Sequence, residues 1–453
     1  MRPGAVCFAA LALLPGAARA LAPSQTVPAA VEPFPEPERG RLVAALADWI
    51  RAVEQGDEAA AAAAAAAVGE RVDGLARLLG RDPLAETAAW TDVLAAALGP
   101  ASPPPPGWHR RRSSRFGQDY RLFVPADPPA GPRPLLVLLG IAPEATGDEP
   151  ADSAWPPGQL VLRLDLPSAD PEQVLAEGRR RLLDALAEVL RLAPVDRNRI
   201  HLVARPGAGT AATLLGGTMP HFFDLVALAG PGHWWAGWPW QESVRRALRS
   251  FLQVAPHTTL PGLLFPTWPA RLDLSGPRPE RSRQVQLVRL LHAARDNLLA
   301  AGGGEDQSRF LAFGDLAGAL AWCETTPPRR PDPASFEFAV LHPAAGRAWW
   351  AQATSFEPDG RAGPSRFRLR ADRERNRLEV RGSGVHSLDL YLNDRLLDLE
   401  RPIEIRHLGS DRIYRFQARR SLTTLLENFA RNPDPWSLYP AMIRGLDLQP
   451  AAR

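Results

Sequence analysis

From residue 119 to residue 313, short apolar runs alternate with amphipathic stretches, and this alternation restricts the chain to few architectures. Asp119-Tyr120-Arg121-Leu122-Phe123-Val124-Pro125 reads as a strand with alternating faces. Pro134-Leu135-Leu136-Val137-Leu138-Leu139-Gly140 is unbroken apolar sequence, as expected of a strand buried on both faces. Further strands are predicted at 160–164, 199–204, 222–229 and 310–313, with a weak one at 263–265. Between them, residues 171–192 carry Val174, Leu182, Leu183, Leu186 and Leu190 at helical spacing, and 285–299 is also helical. Strands alternating with helices predict an α/β protein with a mostly parallel sheet.

The flanks are different. From Glu38 to Leu98 the period is helical: Leu42, Leu46, Ile50 and Val53 form one apolar face, and Ala59 to Ala67 is almost pure alanine. Pro103-Pro104-Pro105-Pro106-Gly107 ends this segment with a stiff, extended tract. Arg110-Arg111-Arg112, just beyond, reads as a solvated linker. A second break falls at Pro327-Pro328-Arg329-Arg330-Pro331-Asp332-Pro333. After it the period becomes two, at 336–340, 367–370, 377–380, 387–392, 403–405 and 413–416, with turn signals at Asp359-Gly360 and Asn393-Asp394. An antiparallel sheet or sandwich closed by a helix over 421–429 is predicted. The breaks divide the chain into a leader at 1–20, a helical segment at 38–100, an α/β domain at 115–326 and a β-rich domain at 334–448.

The leader is read from Arg2, the apolar run Ala5 to Leu14, and small residues Ala18 and Ala20 at signal-peptidase spacing. The apolar run is shorter than the ~20 residues that span a bilayer. Export to the periplasm or the extracellular space is therefore expected, with no transmembrane segment in the mature chain. Cys7 leaves with the leader, so Cys323 is left as the one thiol of the mature chain, with no internal disulfide. Its setting, Leu320-Ala321-Trp322-Cys323, reads as an apolar helix and predicts a buried structural thiol. Net charge is +3, every basic residue is Arg, and the arginines are interspersed with Asp and Glu along the chain. No nucleic-acid partner is expected from that distribution.

Tyr120 to Pro125 followed by Arg133 to Gly140 resembles the opening strands of secreted esterases and prolyl-oligopeptidase-like α/β hydrolases. Val195-Asp196-Arg197-Asn198-Arg199-Ile200-His201-Leu202-Val203 is similar to the approach to their nucleophile elbow, and Met219 to Leu228 continues the likeness, which covers roughly residues 119 to 326. The resemblance implies an α/β-hydrolase-like, mostly parallel sheet, here with an N-terminal helical segment and a C-terminal antiparallel β domain. Asn393-Asp394, Asp398-Leu399 and Pro402 are similar to the β extension that follows the core in some exported members. It also implies a Gly-x-Ser-x-Gly elbow, where a sharp strand-to-helix turn exposes the serine oxygen beside backbone donors. The corresponding residues are Ala204-Arg205-Pro206-Gly207-Ala208-Gly209, and Pro206 falls at the nucleophile position. Proline has neither hydroxyl nor thiol and cannot attack a carbonyl. Leu139-Gly140 stands where the family has His-Gly at its oxyanion strand, and Asp315 stands about where the family has its general base. Loss of nucleophile and base together predicts a protein without acyl-transfer chemistry.

Three functional readings follow. The first is an exported pseudo-hydrolase that serves as a scaffold or ligand-binding module. The second is an active esterase or peptidase with displaced catalytic residues. The third is a carbohydrate- or cell-envelope-binding protein. The third draws on Gly230 to Trp240, which holds four Trp within seven residues after a sheet strand, where open α/β folds bind ligands. Arg205, His233, Trp234 and Trp235 are the ligand-pocket candidates; the plainer alternative is that the tryptophans pack a collapsed cleft. Pro206-Gly207-Ala208-Gly209 lacks the third glycine of a dinucleotide turn and the lysine of a P-loop. No cofactor is expected, and no metal site, since the nine His occur in no ligand-spaced motif.

Overall fold

The computed structural model describes residues 34–99, 104–113, 117–126, 131–142, 155, 158–168, 170–205, 207–229, 293, 310–313, 316–325, 332–342, 346–357, 365–409, 412–431, 434–435 and 437–448. The leader, the strand expected at 263–265, nearly all of the helix expected at 285–299 and the Asp359-Gly360 turn lie outside these residues.

The chain begins with three helices, α1 (Glu36–Gln55), α2 (Glu58–Leu79) and α3 (Thr87–Leu98). Each boundary has a local cause. Gly56 and Gly80 end α1 and α2 in the left-handed conformation, and the Asp57 carboxylate caps α2 by accepting from the Ala60 N–H at 2.9 Å. Leu42, Leu46, Val68, Leu75, Trp90 and Leu94 fill the core between them.

The central sheet has seven strands: β1 (Gly107–Arg112), β2 (Asp119–Val124), β3 (Arg133–Ile141), β4 (Leu160–Leu166), β5 (Val195–Ala204), β6 (Leu225–Ala229) and β7 (Phe310–Phe313). Their order is β1-β2-β4-β3-β5-β6-β7, antiparallel at the β1–β2 and β2–β4 pairs and parallel from β4 through β7. One face is covered by α4, which runs from Pro171–Gln173 through a π turn at Val174–Gly178 into Arg179–Leu192, and by α5 (Gly209–Thr218). The other face carries α6 (Leu316–Thr325), together with Trp108 and Trp155. Buried side chains on both faces explain why β3 reads as continuous apolar sequence.

The Arg110–Arg112 segment departs from expectation. It is not a linker but the second half of β1, with Arg111 opposite Tyr120. Trp108 anchors the strand at 5.3 Å from the Phe123 ring, and β1 is an edge, where arginines leave the ladder intact and discourage pairing with other chains.

The C-terminal part is a two-sheet sandwich. One sheet is wholly antiparallel: β16 (Ala441–Asp447), β13 (Val385–Leu392), β10 (Ala351–Phe356) and β9 (Arg347–Ala348). The other has the order β15 (Ile413–Phe416), β14 (Ile403–His407), β12 (Arg377–Ser383), β11 (Arg366–Asp372), β8 (Ser335–Ala339), and its β12–β14 pair is parallel. Strands β9, β10 and β16 escape the sequence pattern because β9 has only two residues, β10 carries its alternation on the small side chains of Ala351 and Ala353, and Arg444-Gly445 interrupts that of β16. The closing helix α7 (Leu422–Arg431) touches the sandwich through polar groups, Arg347 Nη2 donating to Asn428 Oδ1 at 2.6 Å, but its apolar side chains go elsewhere. Leu425, Leu426 and Phe429 enter the core of the N-terminal helices, with Trp49 and Phe429 rings 6.3 Å apart, and the Thr91 hydroxyl donates to the Pro435 carbonyl at 2.9 Å. The two ends of the chain therefore share one core. Among the described residues, no helix is long and apolar enough to cross a membrane.

Candidate functional site

Three strands end side by side at the carboxyl edge of the central sheet. Gly140 on β3 is the register partner of Asp165 on β4. On its other side Leu139 pairs with Ala204, and the next residue, Arg205, donates its N–H to the Leu139 carbonyl at 2.8 Å. Asp165, Gly140 and Arg205 thus form a row across the strand ends. Gly140 is what allows it: a Cβ there would overlap Asp165 Oδ1 and sit 3.8 Å from Arg205 Cδ. The carboxylate leans over the glycine, in the space a side chain would otherwise fill.

Two residues back on β4, Arg163 is 8% exposed and donates from Nε to Asp165 Oδ2 at 3.3 Å. Asp165 Oδ1 and Arg205 Nη1 are buried and make no hydrogen bond. Burial lowers the Arg205 pKa, the positive charge of Arg163 lowers it further, and Asp165 opposes both. Arg121, the register partner of Arg163, is lowered first by burial and then by Arg163 and Arg110, again opposed by Asp165. Arginine stays protonated through all of this. The result is one carboxylate among three guanidinium groups at the sheet edge, a positive field with one free acceptor and one free donor. Such an arrangement can hold a polar or anionic group. Among the described residues it contains no Ser, Cys or His side chain, and its one carboxylate is that of Asp165.

A turn joins β5 to the next helix. The Ala208 N–H donates to the Arg205 carbonyl at 3.0 Å, Gly207 takes φ +88°, and α5 starts at Gly209. Of the residues singled out from sequence, Arg205 is placed in this site. Pro206, His233, Trp234, Trp235 and Asp315 lie outside the described residues. Sequence reasoning missed Arg163 and Asp165. The signal was available: Leu160-Val161-Leu162-Arg163-Leu164-Asp165-Leu166 carries charge at period two inside an otherwise apolar run.

A second polar group lies deeper. His201 Nδ1 and Asp224 Oδ1 are 2.8 Å apart, at 2% and 0% side-chain exposure. Cys323 on α6 is buried beside them, and burial first, then the charge of Asp224, pushes its thiol well above the ordinary range. Cys, His and Asp are the residue types of a thiol protease, but a thiol held protonated and away from solvent is not a nucleophile. His201 is four residues before Arg205, about 13 Å along the strand. This group is part of the packing, in line with the structural role expected of Cys323. Among the described residues, no group of three or more His, Cys, Asp or Glu is placed to hold a metal ion.

No protein-family model matches the sequence, and no curated protein matches it. Solved structures similar to this chain are esterases and peptidases of the α/β-hydrolase superfamily. An acetyl xylan esterase from Aspergillus awamori is 11% identical over 27% of this chain and 52% of its own, with a TM-score of 0.23. Esterase B from Lactobacillus rhamnosis is 19% identical over 32% of this chain and 53% of its own, at 0.22. A Pyrococcus horikoshii acylaminoacyl peptidase is 17% identical over 27% of this chain and 22% of its own, at 0.22. The aligned part thus spans about half of either esterase and less than a quarter of the peptidase. What these proteins hydrolyse is a property of theirs and does not transfer at this degree of likeness.

Proposed function

We propose that this chain is an exported, catalytically inactive α/β-hydrolase-like protein that binds a polar ligand at the carboxyl edge of its central sheet. The observation that supports this reading is the Asp165–Gly140–Arg205 row, in which Arg205 Nη1 and Asp165 Oδ1 are buried yet unpaired. Buried polar atoms left without partners are costly, of order 1–3 kcal/mol each, and a ligand with both an acceptor and a donor relieves that cost. The sequence supports the absence of catalysis, because Pro206 occupies the nucleophile position and Asp315 the approximate position of the base. The Trp-rich segment that follows β6 would supply the apolar part of the contact.

Two measurements test it together. A fluorophosphonate probe and short-chain p-nitrophenyl esters should find no reactive serine and no turnover in the natural protein. Labelling or turnover that survives repurification would refute inactivity. Thermal unfolding with uronic-acid and neutral oligosaccharides should show stabilisation that disappears in Arg205→Ala. Stabilisation retained in that variant would move the ligand elsewhere.

A further inference from the structure

The outer face of the five-stranded sheet gathers charge that the linear sequence disperses. On β11, Arg366, Arg368 and Arg370 point outward at every second residue, about 7 Å apart. On the neighbouring strand Arg381 stands directly opposite Arg368. Like charges in directly opposite positions destabilise a sheet. Elsewhere on this face the arginines are compensated: Arg377 and Arg406 both reach Glu404, at 3.0 and 2.6 Å, and Arg366 lies 3.6 Å from Glu337. Glu379 is the register partner of Arg370 and Glu337 that of Arg368, yet Arg368, Arg370 and Arg381 are exposed and form no ion pair or hydrogen bond among the described residues.

Apolar side chains stand at the open edge of the same sheet. Ile413 is the register partner of Arg406 and is 54% exposed. Leu408, whose N–H donates to the Val380 carbonyl beside Arg381, is 39% exposed. Strand β15 has no second neighbour, so nothing in the sheet covers this edge.

We propose that this face docks on an anionic lipid surface, with Arg368, Arg370 and Arg381 meeting the headgroups and Leu408 and Ile413 entering the interface. Arginines in excess of the glutamates on the face, beside exposed aliphatic side chains, are the two components of peripheral membrane binding, one electrostatic and one apolar. A nucleic acid fits less well. A flat sheet does not enter a groove, and single-strand binding wants exposed aromatic platforms, whereas the exposed aromatic at this edge, Tyr414, stands opposite the inward Ile405 and the arginine-bearing face carries arginine, glutamate and aliphatic residues. The proposal is independent of the site at the edge of the central sheet.

The test is co-sedimentation of the full chain with vesicles of equal parts phosphatidylglycerol and phosphatidylcholine, against pure phosphatidylcholine vesicles. The natural protein should prefer the anionic vesicles, and the preference should fade with added salt. Arg368→Glu/Arg381→Glu should lower partitioning more than about tenfold, and Leu408→Ser/Ile413→Ser should lower it with the salt dependence unchanged. Because both pairs of residues are exposed, circular dichroism should show the variants folded. Equal binding to both vesicle types, or binding unchanged in Arg368→Glu/Arg381→Glu, overturns the proposal. Binding to duplex DNA or heparin that is lost in the arginine variant, without vesicle binding, also overturns it and assigns the face to a soluble polyanion.

Discussion

The Asp165 carboxylate occupies the volume that a side chain at position 140 would need, and it does so while holding Arg163 at 3.3 Å and leaving its second oxygen unpaired. The edge of the sheet is therefore built around an absent side chain. Leu139-Gly140 ends β3 in a glycine, and the Asp165 carboxylate stands over it.

Gly140→Ala forces Asp165 to move, and a short side chain anchored by Arg163 has little room to do so. The substitution should cost about 1–3 kcal/mol in denaturant unfolding. In an Asp165→Ala background the same substitution should cost at least about 1 kcal/mol less. Additive losses would mean that the two residues do not compete for the space.

The thiol of Cys323 should be inert in the native protein. In a Cys7→Ser form of the full chain, Ellman's reagent should report no fast-reacting thiol at pH 8 and one thiol after denaturation. Reaction at the rate of a free cysteine would place the side chain at the surface, contrary to its burial beside Asp224.

Asp224 accepts from a histidine in an environment without solvent. Replacing Asp224 by alanine leaves the His201 ring buried without this acceptor and should destabilise the fold by at least about 2 kcal/mol at neutral pH. Asn at position 224 retains an acceptor and should recover part of the loss. The measurement is the urea midpoint of the two variants.

Alkaline pH should weaken the sandwich through Tyr439. Its hydroxyl is buried and donates to Asp332 Oδ1 at 2.7 Å, so burial first and then the nearby carboxylate hold the proton on, well above the usual tyrosine range. The unfolded chain releases that proton at about pH 10. The contribution is therefore fully present below pH 10 and is lost as pH rises above it. Unfolding midpoints between pH 8 and 11 should fall above pH 10, and less steeply in Tyr439→Phe. Equal slopes would remove Tyr439 as the cause.

Arg420 ties the ends of the chain together. It is 7% exposed and donates to Asp394 at 2.7 and 2.9 Å, to Glu400 at 2.5 Å and to Asp82 of the helical segment at 3.4 Å. Arg420→Met should cost about 2–3 kcal/mol, less than a fully buried pair because its partners reach solvent. Asp82→Asn, which keeps an acceptor for the Leu84 N–H that Asp82 caps at 2.9 Å, should cost under about 1 kcal/mol. A larger loss from Asp82 would show that the link between the segments, and not the carboxylate cluster, carries the stability.

The sequence determined strands β2 to β7 and helix α4 of the central domain, though not β1, because apolar period is a local property fixed by which faces meet the core. The position of Arg205 was legible for the same reason: it follows a strand at a turn. The sequence also determined that Pro206 cannot act as a nucleophile, which is a matter of its atoms and needs no fold. What tertiary structure alone decided is which residues meet. Asp165 and Arg205 are forty residues apart and become neighbours only because β3 lies between β4 and β5 with a glycine at its end. The arginines at 368, 370 and 381 read as dispersed along the chain, and pairing of β11 with β12 places them on one face, since side chains alternate at period two and register sets which of them stand opposite. Likewise, only packing could send helix α7 into the N-terminal core, because its apolar stripe fits any complementary surface and the sequence does not specify which one it meets.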